Sequence, residues 1–150
     1  MHTCYLRPGE ARGLRCEDLL PPVPGARRGL CHWSLVVAPA HRGETTKTLA
    51  SDDTIILDAL PFLGPLLADL CQNQRPLDLL FRHEQALFMQ QWDFLIAGMK
   101  LPRTNLYQLR HGGAAHDYLT KKRPLLEVMA RGRWSSTSTL LRYAKAGKDQ

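Results

Sequence analysis

Apolar residues recur along this chain in two periods, and the alternation between them outlines a fold. Pro8 suits a first helical turn, and Ala11, Leu14 and Leu19 then fall on one side, which predicts a short helix over residues 8–20. Three prolines and a glycine within residues 20–25 break it. Residues 33–38 and 54–58 are apolar and β-branched, and turn chemistry at Ser51, Asp52 and Asp53 separates them, so they read as a hairpin. Leu63, Leu66, Leu67 and Leu70 predict the inward face of a helix over residues 60–72, with Pro61 and Pro65 in or near its first turn.

The most regular pattern runs over residues 79–99, where Phe81, Phe88, Trp92, Leu95 and Met99 recur at helical spacing and predict a core-facing stripe. Pro102 ends that helix. Thr104 reads as the cap of a helix through Arg110 to about residue 120, and Pro124 as the start of another that finishes near Gly132. Ser135 and Ser136 read as the cap of a last helix carrying Thr139, Leu140 and Tyr143. The expected fold class is α+β and mostly helical, with a small antiparallel β-hairpin or sheet between helices. No internal repeat interrupts it, and residues 1–150 read as a single domain.

A length of 150 residues with 44% hydrophobic content is enough for one core. No run approaches the ~18–20 apolar residues of a membrane span, and the opening residues do not form a signal peptide. The four cysteines have no metal-ligand spacing, and the six histidines form no metal signature. They therefore imply reduced thiols in an intracellular protein, with no metal and no cofactor. Charge is the uneven property: residues 1–102 hold 10 Lys/Arg against 11 Asp/Glu, whereas residues 103–150 hold 10 against 3. A cationic final third suits a phosphate-rich partner, because neutralising phosphates releases counterions. A solvated basic face, anionic lipid or an acidic protein fits the same asymmetry.

The candidate chemistry lies in a few arginines and one tyrosine. Arg7 stands in residues 6–10, Arg110 in residues 107–111, Trp134 closes residues 131–134, and Tyr143 follows nine positions later. Two guanidiniums can grip the non-bridging oxygens of a phosphate bidentately without losing charge. An indole N–H can donate to the same group, and a phenolic oxygen can attack it. Taken singly, each arginine reads equally as a surface ion pair, and Trp134 as a packed hydrophobe. Their order and spacing together carry the signal.

In that order and spacing the chain resembles the catalytic domain of the tyrosine recombinases, the phage-integrase-like DNA breaking and rejoining enzymes. The segment from Arg131 to Tyr143 is its most specific part. The resemblance implies that Tyr143 attacks a scissile phosphate held by Arg7, Arg110 and Trp134, forming a 3′-phosphotyrosyl link and freeing a 5′ hydroxyl. Lys47, the only lysine between Arg7 and Lys100, would protonate the leaving oxygen from the hairpin, although a solvated hairpin lysine reads the same way. Glu10 and His111 would support the arginines from behind. Tyr107 stands where the family usually has a histidine; it can donate to phosphate, but with a reference pKa of ~10 it is a poor general base. Lys121, Lys122, Arg123, Arg131, Arg133 and Arg142 would face DNA.

The implied partner is duplex DNA, with copies of the chain assembled on it, no membrane and no small-molecule cofactor. The implied location is wherever DNA is: a nucleus, or a bacterial cytoplasm or nucleoid. The family's helical DNA-clamping domain would precede the catalytic one, and only six residues precede Arg7, so an N-terminally truncated member is expected. Two other readings use the same residues: a topoisomerase-like nicking and resealing domain, and a DNA-binding module without catalysis.

Overall fold

The computed structural model describes residues 1–25, 31–45, 53–82, 84–138 and 141. Among these, five α-helices accompany one three-stranded antiparallel sheet, a mixed and mostly helical α+β architecture. Helix α1 spans Pro8–Gly13, with proline in its first turn and the Glu10 carboxylate accepting the Arg7 backbone N–H at 2.7 Å. It is shorter than the expected 8–20. Leu14 is already extended, residues Cys16–Asp18 form a single 3-10 turn, and Leu19–Leu20 is strand β1. Tertiary pairing overrides the helical period here: Cys16 and Glu17 donate backbone N–H bonds to Asp78 and Pro76, and Leu80 to Leu14.

The hairpin expectation holds in its strands. β2 (Ser34–Val37) pairs antiparallel with β3 (Asp53–Ile56) on one side and with β1 on the other. Register places Leu19, Leu35 and Ile55 in one row across the three strands, and all are buried. Lys47, Ser51 and Asp52 lie outside the described residues. Helix α2 (Leu63–Cys71) lies on this sheet, with Pro61 before it and Pro65 in its first turn. Its inward line is Leu63, Leu67, Ala68 and Cys71, so Leu66 and Leu70, expected inside, are exposed. Gly64 explains the rotation: Trp33 covers it so closely that a Cβ there would fall 2.1 Å from the ring.

Helix α3 (Gln85–Gly98) starts six residues later than residue 79 and buries little. Phe88, Trp92 and Ile96, four apart, form its inward line. Phe81 precedes the helix, and Leu95 and Met99 are over half exposed (54% and 57%), so the expected broad stripe is a narrow one. Residues 95 and 99 lie three positions past Trp92 and Ile96, a step that rotates them away from the line set by steps of four. Helix α4 (Leu106–Leu119) is capped by Asn105, whose side chain accepts the Gln108 N–H at 3.0 Å. Thr104, the expected cap, instead donates its hydroxyl to the Pro102 carbonyl.

Helix α5 (Leu125–Gly132) follows Pro124 and packs on α4, burying Val128 against Ala114 and Tyr5. Gly113 lets the N-terminal segment touch α4, since a Cβ there would meet the His2 carbonyl at 2.0 Å. A buried ion network joins these layers: Arg123 pairs with Asp58, Asp117 and Glu127, and Tyr5 donates to Asp117 at 2.5 Å. Thr137, Ser138 and Leu141 are helical, placing a helix start just after Ser136; Thr139, Leu140 and Tyr143 lie outside the described residues. No helix among the described residues is long and apolar enough to cross a membrane.

Candidate functional site

Three segments distant in sequence meet beside the N-terminus of α1. Arg7 precedes that helix and Glu10 sits one turn in, so the Arg7 guanidinium turns back onto the Glu10 carboxylate at 2.7 Å. Arg110 comes from the middle of α4 and is 2% exposed. Its two terminal nitrogens donate to the backbone carbonyls of Tyr5 and Gly132, so it bolts the segment before α1 to the end of α5. The Gly132 carbonyl belongs to a helix end with no intrahelical donor, which a guanidinium satisfies well. Two of five N–H donors are used this way.

Trp134 reaches the same place because the chain turns sharply behind α5. Arg133 takes a left-handed conformation (φ 55°, ψ 43°), and the Trp134 ring folds back over Gly132 to lie 4.5 Å below the Arg110 guanidinium carbon. That is cation–π distance. His111 packs 6.3 Å from the Trp134 ring and 6.1 Å from Tyr107, ring centre to ring centre. Arg133 then crosses to Glu10, donating to Oε2, and lies 3.7 Å from Asp53 at the start of β3. Arg110 completes the group at 3.8 Å from the same Glu10 oxygen.

The electrostatics are lopsided. Three guanidiniums converge on one carboxylate, and even with Asp53 included one positive charge is left over among the described residues. Burial, then the charge of Arg7, lowers the Arg110 pKa to about 10. Burial raises the Glu10 carboxyl, but the Arg7 backbone N–H and the charges of Arg133 and Arg7 outweigh it and hold the group below its ordinary value. His111 is pushed down by burial and by Arg110, which favours its neutral form. Alongside lies an open cleft of about 410 Å³ lined by Arg7, Tyr107 and the carboxylate residues Glu10, Asp18 and Glu44, with Val37 and Ala38. Tyr107 is half exposed at its rim.

Arg7, Glu10, Tyr107, Arg110, His111 and Trp134 are therefore brought together. Lys47, Arg142 and Tyr143 lie outside the described residues. The expected DNA-facing set needs correction. Lys121 and Lys122 are exposed, but Arg123, Arg131 and Arg133 are not a cationic surface. Their side chains are under 10% exposed and turned inward: Arg123 onto three carboxylates, Arg131 onto Asp58 and the Thr3 and Ile56 carbonyls, Arg133 onto Glu10. Composition counted these charges without seeing their partners. Asp53, Asp58 and Asp117 are the partners sequence reasoning passed over, and no spacing links them to the arginines they hold. No group of His, Cys, Asp and Glu among the described residues is arranged to hold a metal ion. Comparison with protein-family models, with curated proteins and with solved structures found no match.

Proposed function

We propose that this chain is a DNA strand-cleaving and rejoining domain of tyrosine-recombinase type, with the DNA breaking–rejoining catalytic core as its finer fold. The observation that carries the reading is the excess of buried guanidinium charge around Glu10, since clustered cations short of carboxylates are stabilised by an anion nearby. A phosphodiester has the planar oxygen pair that guanidiniums bind and the single negative charge that the cluster lacks.

In this reading the phenolic oxygen of Tyr143 attacks phosphorus, forming the Tyr–O–P bond as the P–O5′ bond breaks. The phenolic proton passes to solvent water, the 5′ oxygen receives a proton from Lys47, and in the reverse step an attacking 5′ hydroxyl returns its proton to Lys47 while the released phenolate takes one from water. Bond energy is kept in the 3′-phosphotyrosyl intermediate, so neither metal nor nucleotide is consumed. Arg7 and Arg110 stabilise the charge that grows on the non-bridging oxygens, and Trp134 packs against Arg110 from the opposite face. Duplex DNA is the substrate, and copies of the chain assembled on two duplexes would exchange strands between them.

The test is covalent capture. Incubated with nicked suicide duplexes and resolved on denaturing gels, the chain should give a protein–DNA adduct, and Tyr143→Phe should give none while retaining the fold. An adduct that survives Tyr143→Phe refutes the nucleophile. DNA binding without any adduct in the parent chain refutes cleavage and leaves the non-catalytic DNA-binding module. Strand exchange between two duplexes separates a recombinase from a topoisomerase-like nicking and resealing domain.

A further inference from the structure

We infer that Arg133 is a positioning residue that keeps Arg110 available to an anion, by holding the hydrogen-bonding site on the Glu10 oxygen that Arg110 otherwise meets only as a longer ion pair; the inference rests on the anion-site reading above. Glu10 has two oxygens and four lone-pair sites. Oε1 takes the Arg7 guanidinium at 2.7 Å, and Oε2 takes both the Arg7 backbone N–H at 2.7 Å and the Arg133 guanidinium. Arg110 is left at 3.8 Å from Oε2, about 0.5–1 Å beyond a hydrogen bond. Its Nη1 donates instead to the Tyr5 carbonyl, a neutral acceptor, so its pairing with Glu10 is Coulombic without a hydrogen bond.

Two features distinguish this from an incidental ion pair. The first is backbone: Arg133 sits at φ 55°, ψ 43°, where an L side chain is disfavoured and glycine is not. A long charged side chain at such a position is explained by what its head group reaches. The second is that Arg133 is itself balanced. Its side chain is 6% exposed, and its Nε lies 3.7 Å from Asp53 Oδ2, both buried and without a hydrogen bond among the described residues. Asp53 therefore partly neutralises Arg133, so that this arginine, rather than Arg110, answers Glu10. Without it, Oε2 would be free to draw Arg110 into a hydrogen bond and take up more of its charge.

This role predicts a sign that simple bracing does not. Removing Arg133 should weaken anion binding, and removing the Glu10 charge as well should restore it. The full chain and its variants are titrated with inorganic phosphate, followed by tryptophan fluorescence, with thermal melting to verify folding. Arg133→Gly fits the left-handed backbone and should weaken phosphate binding on the order of tenfold, the size of one charge-assisted contact. Arg133→Asn, which also tolerates that backbone, should behave alike, and Arg133→Lys should retain most of the affinity because a point charge still neutralises Oε2. Glu10→Gln in the Arg133→Gly background should recover affinity toward the parent, a coupling of opposite sign to additive damage. The inference is overturned if the parent does not bind phosphate, if Arg133→Gly and Arg133→Asn leave affinity unchanged, or if the double variant is weaker than Arg133→Gly. A parent that binds phosphate but forms no adduct refutes DNA cleavage alone, and the phosphate series still decides the part played by Arg133.

Discussion

Under the proposed function, Arg110 would have two tasks that pull in different directions. As a bolt between the Tyr5 and Gly132 carbonyls it must be buried and fixed; as a phosphate ligand it must leave donors free. The indole of Trp134 reconciles them, because a ring face can support a guanidinium without consuming an N–H. Gly132 makes this stacking achievable. A Cβ at residue 132 would fall 1.8 Å from Trp134 Cζ3 and 2.1 Å from Cε3, and the ring has Tyr5 and His111 on other sides. Gly132→Ala should therefore push the indole off Arg110 at a cost of ~1–3 kcal/mol, typical of overpacking. The expected readings are a lower melting temperature and a changed near-UV circular dichroism band, with Trp134→Phe relieving part of the loss. An Ala variant as stable as the parent, with an unchanged band, would show that Trp134 does not need this seat. The arginines and the tryptophan could be picked out in sequence by residue type and order. Gly132 could not, because only the returning ring makes its missing side chain necessary.

Elements were readable where propensity and packing agree. Pro124 opening α5 is a local signal that nothing in the tertiary structure opposes, whereas the sequence places the start of α4 one residue early, at Thr104 instead of Asn105. Residues 14–20 and the face of α3 failed for the opposite reason. Backbone bonds to residues 76–80 pulled the first out of helix, and the second kept its helical period without a broad surface to cover. Helix α4 also carries a pH dependence that its sequence alone does not set. His111 lies on it against Trp134, and His2 packs 6.2 Å from His116. His2 is lowered by burial and then by His116, and His111 by burial and then by Arg110, both from 6.5. A histidine whose folded pKa is lowered binds fewer protons folded than unfolded as pH falls through the unfolded value, so stability falls with it. Melting temperature should therefore drop as pH is lowered from above to below about 6.5, and His111→Gln with His2→Gln should flatten that limb. Stability that rises on acidification through this window would contradict the lowered values of His2 and His111.

At the scale of the whole molecule, much of the positive charge of the last third turns inward. Arg123 and Arg131 fasten Asp58, just past β3, to α4 and α5, and burial opposed by the Asp58 and Glu127 bonds leaves the Arg123 guanidinium more firmly protonated than usual. Asp58 is raised by burial and more than returned below its ordinary value by the two arginines. The 10 Lys/Arg against 3 Asp/Glu of residues 103–150 thus overstate the cationic face a duplex would meet, because carboxylates of earlier segments offset several of them, and Lys121 and Lys122, on the exposed turn after α4, are exposed cations of that third. The two groups should separate in a salt series on duplex DNA, measured by fluorescence anisotropy. Each phosphate neutralised contributes a slope of ~0.9 in log affinity against log salt. Lys121→Gln with Lys122→Gln should lower the slope by up to ~2 while leaving the melting temperature nearly unchanged. Arg123→Gln should do the reverse, lowering the melting temperature by breaking a buried network at a cost of ~3–5 kcal/mol and leaving the slope of the folded protein intact. An Arg123 variant that stays stable but loses salt dependence would return that side chain to the DNA surface and overturn the inward assignment.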